Sequence, residues 1–493
     1  MLFNSFEFLL FFPVVTGLYF LLPHRFRWAL LLLASCAFYM FFKPVYILIL
    51  FGTIVIDYAA GIWIENSTTP QRRKALLLAS IVANVGVLAV FKYFNFLNDS
   101  LTALTETLGT RNPVPYLSIL LPIGLSFHTF QAMSYTFEVY RGRQPAERHF
   151  GIYALYVMFY PQLVAGPIER PQNMLHQFRQ RHTFQYERVT AGLKLMAWGL
   201  FKKVVVADRL ALFVDQVYNN PTDYQGLPLV VATVFFAFQI YCDFSGYTDI
   251  ALGSAQVMGF SLMRNFNRPY VAGSIREFWG RWHISLSTWF RDYLYIPLGG
   301  NRVEKWRWYR NILVVFLVSG LWHGAAWTFV IWGALHGFYQ VFGLVTEKMR
   351  HRLANATGLL RLPVLHRFLN LSSTFALVCF AWIFFRANTL ADAQYIATHL
   401  FTGWPESLRA VVTNAAYGRT HWLYLEHSTG QFALALLCLA ALLIIELSQQ
   451  EESLPAVFQV RFAPVRWSVY VGLVLAVLFF GVFNSSQFIY FQF

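Results

Sequence analysis

Residues 276–293 read REFWGRWHISLSTWFRDY, and residues 320–324, within the apolar run that follows, read GLWHG. The whole stretch 274–337 is dense in arginine, tryptophan, histidine and serine, although the chain around it is largely hydrocarbon. Polar side chains inside a membrane are costly unless they line a cavity. The stretch therefore predicts a fold built around a polar interior, and we interpret it as the active centre.

The composition is that of a membrane protein. Of 493 residues, 57% are hydrophobic and 13% are charged, whereas a soluble domain carries about 25% charged residues. The formal net charge of +14 could indicate nucleic-acid binding, but beside so much apolar sequence it favours basic loops that face anionic lipid. We therefore expect membrane lipid as a partner and no nucleic acid. The four cysteines lack metal-ligand spacing, so no metal site is expected.

Eleven apolar runs are long enough, or nearly so, to cross a bilayer as helices. They fall at 6–23, 28–42, 45–64, 75–95, 115–139, 227–248, 311–331, 332–346, 372–386, 431–447 and 467–485. The predicted fold is an all-α polytopic integral membrane protein, with about 11 membrane-spanning helices plus re-entrant and interfacial helices around a central polar tunnel.

Two shorter runs are irregular. Residues 151–164 cannot cross a bilayer, and the prolines and glycine around their end exclude a continuous helix. We interpret them as a re-entrant or interfacial element, and the alternative is an ordinary cytoplasmic loop after a short helix. Residues 190–214 mix charges with apolar residues at helical spacing, which predicts a helix lying along the membrane surface.

We expect a single membrane domain over residues 1–493. Within it, residues 1–140 would be N-terminal spans, 141–226 re-entrant and interfacial helices, 227–346 the catalytic core and 347–493 C-terminal spans. An extracytoplasmic N-terminus places eight basic residues of the first half on the cytoplasmic side and three on the other, as the positive-inside rule requires. The eight are Arg25, Arg27, Arg72, Arg73, Lys74, Arg141, Arg143 and Arg148, and the three are Lys43, Lys92 and Arg111.

His323 is the first candidate catalytic residue. It lies between Trp322 and Gly324 in a run of apolar residues. An apolar pocket helps to keep an imidazole neutral and basic, which suits a general base. The flanking Gly320 and Gly324 would let a substrate or a second helix approach closely. The alternative is a histidine that is hydrogen-bonded inside a helix bundle.

His283 is the second candidate. In a helix predicted over residues 275–293, it shares a polar and aromatic face with Trp279 and Phe290. The alternative is an interfacial histidine beside the tryptophans of the headgroup belt. We interpret His336 and His128 as structural, and the alternative is that both line a tunnel.

Asp243 and Asp249 lie among aromatic and hydroxyl side chains at the end of the run 227–248. Two carboxylates would be expensive facing lipid. They either line a polar pocket or pair with the arginines at positions 264, 268 and 276, and we favour structural pairing for at least one of them.

The motifs, taken together and in order, resemble the membrane-bound O-acyltransferase family, and within it the bacterial alginate O-acetylase branch. Those that carry the resemblance are EFW at 277–279, RWHISLSTW at 281–289, RDYL at 291–294, GGNR at 299–302 and GLWHG at 320–324. Supporting ones are PIGLSF at 122–127, AGP at 165–167, DFSGY at 243–247, WGALHG at 332–337, FFRA at 384–387 and FIYFQF at 488–493. The sequence departs from the branch around the AGP motif, at 162–170.

The resemblance implies helices around a tunnel, with His323 near mid-membrane as the catalytic residue and His283 as its polar partner. On this hypothesis, His323 accepts the proton of an acceptor hydroxyl as it attacks a thioester, and His283 orients the groups or stabilises the oxyanion. Direct acylation of His323 is the alternative. The further candidates for the tunnel are Trp279, Arg281, Trp282, Ser287, Arg291, Asp292, Asn301, Trp322 and Asp243.

The implied activity is transfer of an acetyl group from a cytoplasmic thioester across the bacterial inner membrane. Acetyl-CoA is the expected donor, with no bound cofactor. The acceptor would be an extracytoplasmic polysaccharide, such as an alginate-like polymer, cellulose, another exopolysaccharide or peptidoglycan. The expected partners are an extracytoplasmic SGNH-type acetyltransferase or acceptor protein and the polysaccharide synthesis machinery.

Two other functions stay open at this point. One is D-alanyl transfer to teichoic acid, which would need a carrier-protein donor. The other is a transporter or flippase that exports a glycan or lipid intermediate through the same tunnel. Transporters often carry inverted repeats, and the central motif has no second copy in the sequence.

Overall fold

The structure is a computed structural model that describes residues 1–118, 122–164, 166–413, 417–448, 458, 462–483 and 488–489. All regular secondary structure in these residues is helical. Seven of the described helices are long and apolar enough to cross a membrane: Pro44–Asn66, Pro70–Thr107, Leu227–Met258, Trp327–Val345, Pro363–Arg386, Thr429–Ser448 and Ala463–Phe480. The protein is therefore an all-α, multi-pass membrane protein.

The chain forms two compact units, residues 1–196 with 247–264 and residues 197–246 with 265–493. The predicted four-part division stays a prediction. The first unit contains α1 (Phe6–Leu21), α2 (His24–Met40), α3 (Ile47–Asn66), α4 (Pro70–Leu88), α5 (Phe94–Thr107), α6 (Leu125–Tyr140), α7 (Phe150–Met158), α8 (Tyr160–Leu163), α9 (Pro171–Met174) and most of α10 (Tyr186–Leu200).

The second unit contains α11 (Asp208–Tyr218), the larger part of α12 (Leu227–Met258) and the helices that follow residue 265. These are α13 (Ile275–Arg281), α14 (Ile284–Phe290), α15 (Lys305–His323), α16 (Trp327–Val345), α17 (Glu347–Ala356), α18 (Pro363–Arg386), α19 (Leu390–His399), α20 (Trp404–Thr413), α21 (Tyr417–Trp422), α22 (Thr429–Ser448) and α23 (Ala463–Phe480).

Each of the eleven predicted runs overlaps a helix, but two boundaries were wrong. The break between the predicted runs 311–331 and 332–346 lies at residues 324–326, because Gly324 and Ala326 adopt extended conformations. The run 115–139 becomes helical only at Leu125, after Gly124 in a left-handed conformation with φ of 75°. Residues 119–121 of that run lie outside the described residues. The count of eleven spans stays a prediction.

In the first unit, a buried carboxylate joins three helices. Asp57 of α3 accepts hydrogen bonds from Ser80 Oγ at 2.5 Å and from Asn84 Nδ2 at 2.9 and 3.0 Å, both on α4. Ser80 also contacts Thr136 Oγ1 of α6 at 3.3 Å. Since buried polar groups are costly unless they are hydrogen-bonded, these bonds select one arrangement of α3, α4 and α6.

The irregular element at 151–164 is a broken helix, as predicted. Helix α7 ends at Met158, and α8 covers only four residues. The Tyr156 carbonyl freed by the break accepts from Gln162 Nε2 at 2.7 Å and from the Gln131 amide. Every residue from 151 to 164 is buried, which favours the re-entrant interpretation over an ordinary loop. Ala165 of the AGP motif lies outside the described residues.

The predicted surface segment 190–214 is interior in its second half. Residues 201–210 are buried, including Lys202, Lys203, Asp208 and Arg209. A π-helical stretch over residues 201–207 joins α10 to α11. Its placement along the membrane surface stays a prediction, but the charges do not form an exposed face.

Candidate active site

A break in the chain positions His283. The continuous helix predicted over residues 275–293 was wrong, because α13 ends at Arg281 and α14 begins at Ile284. His283 lies between them in the left-handed region, with φ of 44°. Such a conformation costs about 1–3 kcal/mol in a residue other than glycine and clusters at functional sites. His283 therefore does not share a helix face with Trp279.

Asn265 stabilises this break. Its main-chain carbonyl accepts the Ile284 N–H at 2.9 Å. Its side-chain Oδ1 accepts from Ser285 N at 3.2 Å and Ser285 Oγ at 2.9 Å, and it lies 3.1 Å from His283 Nδ1. Asn265 is wholly buried. These tertiary bonds outweigh the helical propensity of the sequence around His283.

His323 ends α15, immediately before Gly324. Its ring lies 4.9 Å from those of Trp322 and Trp332 and 5.4 Å from that of Phe385, between centroids. Only 3% of the residue is exposed. This is the apolar surrounding that the sequence predicted for a neutral imidazole.

The two candidate histidines come together. Their ring centroids are 6.4 Å apart, although the residues are 40 positions apart in the sequence. Trp322 lies beside both, 6.1 Å from His283 between ring centroids, and Phe244 covers His283 at 4.7 Å. Two buried imidazoles at this separation can hold one polar group of a substrate between them.

A cavity of about 160 Å³ lies beside this pair. Neither histidine lines it, but Ser319 does, and Ser319 precedes His323 by one helical turn and so lies on the same face of α15. Three predicted tunnel residues line it, namely Trp279, Ser287 and Arg291, together with Leu286, Phe290, Tyr295, Val315, Phe316 and Ser319.

The other predicted tunnel residues do not line this cavity. Trp282 is wholly buried and stacks 5.6 Å from Phe278. Arg281 pairs with Glu277 at 2.9 Å. Asp292 pairs with Arg291 at 2.9 Å, and Asn301 is exposed.

Asp243 is part of an ion-pair cluster. Its Oδ1 lies 2.6 Å from Lys203 Nζ, which also pairs with Asp208 at 2.7 Å. Its Oδ2 accepts the Ile489 N–H at 2.7 Å. Structural pairing, favoured from the sequence for at least one of Asp243 and Asp249, is thus found at Asp243. Its cation is Lys203 and not one of the arginines at positions 264, 268 and 276, because α12 packs beside the buried π-helical stretch.

His336 and His128 are both buried and hydrogen-bonded, and their structural role stays a prediction. Trp279 Nε1 donates to His336 Nδ1 at 3.2 Å, and Thr53 Oγ1 lies 2.7 Å from His128 Nε2. Sequence reasoning missed Asn265, Lys203 and Phe385. No periodic pattern marks an asparagine in a loop, and Phe385 was noted only within the motif at 384–387.

Within the described ranges, no three histidine, cysteine, aspartate or glutamate side chains are grouped as metal ligands would be. The described part of the terminal motif is Phe488 and Ile489, and residues 490–493 lie outside it. Phe488 packs 5.8 Å from Phe244, between ring centroids.

Gly320 makes close packing of α15 on α16 possible. A Cβ at this position would lie 2.3 Å from the Phe329 carbonyl oxygen. The predicted approach of a second helix at Gly320 is thus confirmed, and α16 is that helix. Residues 316 and 320 of α15 lie against residue 333 of α16, and residue 313 lies against residue 337. The two helices therefore run antiparallel.

We expect Gly320→Val to force this hairpin apart. Overpacking costs about 1–3 kcal/mol, and His323 lies within one helical turn, so both melting temperature and acyl-transfer rate should fall. Thermal unfolding of the purified protein and a transfer assay measure the two effects. Gly280→Ala is the control, since no atom lies within 4 Å of its added Cβ. Wild-type stability of Gly320→Val would contradict the packing argument.

Comparison with known proteins places these features in context. The sequence model of MBOAT, the membrane-bound O-acyltransferase family, matches residues 148–390. The chain is 40% identical to the probable alginate O-acetylase AlgI of Pseudomonas aeruginosa over 433 residues, 86% of this chain and 80% of that protein. It is 36% identical to a peptidoglycan O-acetyltransferase of Helicobacter pylori over 393 residues, 74% of this chain and 71% of that protein.

A teichoic acid D-alanyltransferase of Bacillus subtilis is more distant. It is 26% identical over 278 residues, which are 53% of this chain and 68% of that protein. The two relatives above match over more of the chain and at higher identity, and both of their names describe O-acetyl transfer.

Proposed function

The chain belongs to the membrane-bound O-acyltransferase family and is an O-acyltransferase, and from this premise we propose that it passes an acetyl group from a cytoplasmic thioester across the membrane for O-acetylation of an extracytoplasmic polysaccharide. The observation that carries the proposal is the pair of buried imidazoles, 6.4 Å apart between centroids, next to a small cavity. The names of the alginate and peptidoglycan relatives support a polysaccharide acceptor. Acetyl-CoA is the proposed donor.

The charges of the second unit support a cytoplasmic donor. Helices α15 and α16 are antiparallel, and α18 is antiparallel to α16, because Trp332 and Phe329 contact Trp382 and Phe385 respectively. One end of these helices therefore holds residues 297–310 and 346–367, with nine lysines and arginines. The other end holds residues 324–326, 386–413 and 417–428, with three. The positive-inside rule makes the first end cytoplasmic.

In this proposed orientation the cavity lies on the cytoplasmic side of His323. Val315, Phe316 and Ser319 line it, and they lie between the basic start of α15 and the histidine at its end. Its volume of about 160 Å³ is below the roughly 300–1,000 Å³ of sites for drug-sized ligands. This size suits an acetyl group with the start of its thioester arm.

In the proposed reaction, His323 takes the proton of the acceptor hydroxyl as its oxygen attacks the thioester carbonyl. A carbon–oxygen bond forms, the carbon–sulfur bond breaks, and the proton passes to the leaving thiolate. A positioned base contributes about 10²–10⁴-fold to such a step. The acetyl group then reaches the polymer through an extracytoplasmic acceptor protein or SGNH-type acetyltransferase acting with the polysaccharide synthesis machinery.

The test is acetate released by mild base from cell-surface polysaccharide. A strain that lacks the chain is compared with the same strain carrying it, with exported polymer measured separately. If O-acetyl ester appears only in the strain that carries the chain, while the amount of exported polymer is unchanged, the result supports the proposal and identifies the glycan. Polymer that is exported only with the chain, at a constant degree of acetylation, would support the transporter function instead. Released D-alanine would support the D-alanyl alternative.

We expect Ser319→Phe to block the donor cavity. Ser319 is 4% exposed and lines that cavity, so a phenyl ring there occupies the space of the thioester. The KM for acetyl-CoA should rise, or the rate should fall, in membrane vesicles supplied with labelled acetyl-CoA. Ser373→Phe, at an exposed site on α18, is the control. Unchanged kinetics of Ser319→Phe would show that the donor enters by another route.

A further inference from the structure

The hydrogen bonds around Asn265 determine which nitrogen of His283 carries the proton. One side-chain atom of Asn265 contacts Ser285 N, Ser285 Oγ and His283 Nδ1, at 3.2, 2.9 and 3.1 Å. A backbone N–H can only donate, so this Asn265 atom must be the amide oxygen. An amide oxygen only accepts, so Nδ1 of His283 must be the donor.

A neutral imidazole has one N–H, and its other nitrogen carries a lone pair. With the proton on Nδ1, Nε2 of His283 is a hydrogen-bond acceptor. In this form it cannot donate a hydrogen bond from Nε2 to a developing oxyanion, which was one of the roles the sequence left open for His283. It can instead accept a proton or a hydrogen bond beside His323.

We propose that Asn265 is a positioning residue that holds His283 in the Nδ1–H tautomer, so that Nε2 accepts the hydrogen bond of the acceptor hydroxyl when it binds, before that hydroxyl passes its single hydrogen to His323. The inference rests on the proposed function and adds a residue to it. A 6.4 Å separation of ring centroids is too long for a direct hydrogen bond between the rings, whose donor and acceptor atoms must approach to about 3 Å. It leaves room for one oxygen atom between them.

The surroundings of His283 make its protonation sensitive to Asn265. Its ring contacts include Phe244, Trp322 and the titratable His323. The nearest carboxylate in sequence, Asp243 beside Phe244, is held by Lys203 at 2.6 Å. A carboxylate placed at position 265 would therefore act on Nδ1–H as a new charge. It would favour the imidazolium form, and a fully protonated ring cannot accept at Nε2.

The first experiment determines the tautomer directly. Solid-state ¹⁵N NMR of the full chain labelled at histidine distinguishes protonated from unprotonated ring nitrogens, and His283→Gln identifies the signals of His283. We expect a protonated Nδ1 and an unprotonated Nε2 in the wild type. A proton on Nε2 alone would overturn the proposal, whatever the transfer assay shows.

The second experiment is the pH dependence of transfer in membrane vesicles, with labelled acetyl-CoA as the probe. Asn265→Asp should move the acid limb of the pH–rate profile to higher pH by about one unit or more, with the rate recovering at high pH. Asn311→Asp is the matched control. Asn311 is also wholly buried, and its amide donates to the Leu298 and Gly300 carbonyls, at 3.0 and 3.2 Å, instead of contacting a histidine.

The outcomes separate this inference from the proposed function. A wild type that transfers no acetyl group means that the proposed function has failed, while the tautomer measurement still tests Asn265. If the wild type is active and Asn265→Asp lowers the transfer rate at every pH without shifting the pH–rate profile, Asn265 has only a structural role. Should Asn265→Asp fail to fold, Asn265→Leu gives the same decision by NMR, since losing the acceptor should produce a mixture of tautomers.

Discussion

Replacement of His323 by alanine is expected to lower acetyl transfer by about 10²–10⁴-fold, the range that a positioned general base contributes. The residue is 3% exposed and lies at the end of α15, with its ring centroid 6.4 Å from that of His283. Its removal leaves the attacking hydroxyl without the group that takes its proton. The measurement is base-released acetate on surface polysaccharide, at equal amounts of membrane protein.

Loss of packing must be separated from loss of the base. Three aromatic rings surround the His323 imidazole, so alanine also leaves a cavity. His323→Gln fills most of that space without a basic nitrogen, and it should lose as much activity as His323→Ala while melting closer to the wild type. His176→Ala, at an exposed histidine, should behave as the wild type. An active His323→Gln would refute the assignment.

Replacement of Lys203 by methionine is expected to destabilise the protein by about 3–5 kcal/mol, the cost of breaking a buried ion pair by removing one partner. The Lys203 side chain is 1% exposed, and its ammonium lies 2.7 Å from Asp208 and 2.6 Å from Asp243. Methionine has a similar shape but no charge, so two buried carboxylates would lose their shared cation. The apparent melting temperature of detergent-solubilised protein should fall sharply.

The control for this prediction is Lys305→Met, at the exposed start of α15. Surface charges contribute only about 0–1 kcal/mol, so Lys305→Met should melt as the wild type does. Lys203→Arg keeps the charge and should fall between the two. Equal melting temperatures for Lys203→Met and Lys305→Met would mean that the cluster contributes nothing to stability.

The sequence predicted the two candidate histidines but not the geometry that joins them. A helix over residues 275–293 follows from helical spacing, and that spacing is real within α13 and α14 separately. The break at His283 depends on Asn265, eighteen residues earlier. Hydrogen bonds between a loop and a helix start have no sequence period, so no pattern could indicate them.

The same limit explains why the sequence did not identify the cation that pairs with Asp243. Its carboxylate needed a cation, and this requirement follows from burial in an apolar chain. The nearest arginines in sequence were the reasonable candidates, but the side chain that reaches it is Lys203. The sequence of α12 does not determine which cation lies beside Asp243, because that depends on how the preceding helices pack.

By itself, the sequence determined that this is a multi-pass, all-helical membrane O-acyltransferase, because apolar length and charge content are set by composition and the motifs occur in order along the chain. Only the tertiary structure decided that His283 and His323 lie together, that Asn265 holds His283, and that Asp243 belongs to an ion-pair cluster. The physical reason is that the hydrophobicity of each residue and the order of the motifs follow from the sequence alone. A hydrogen bond or an ion pair between distant residues depends on distances of about 3 Å that only the packed helices create.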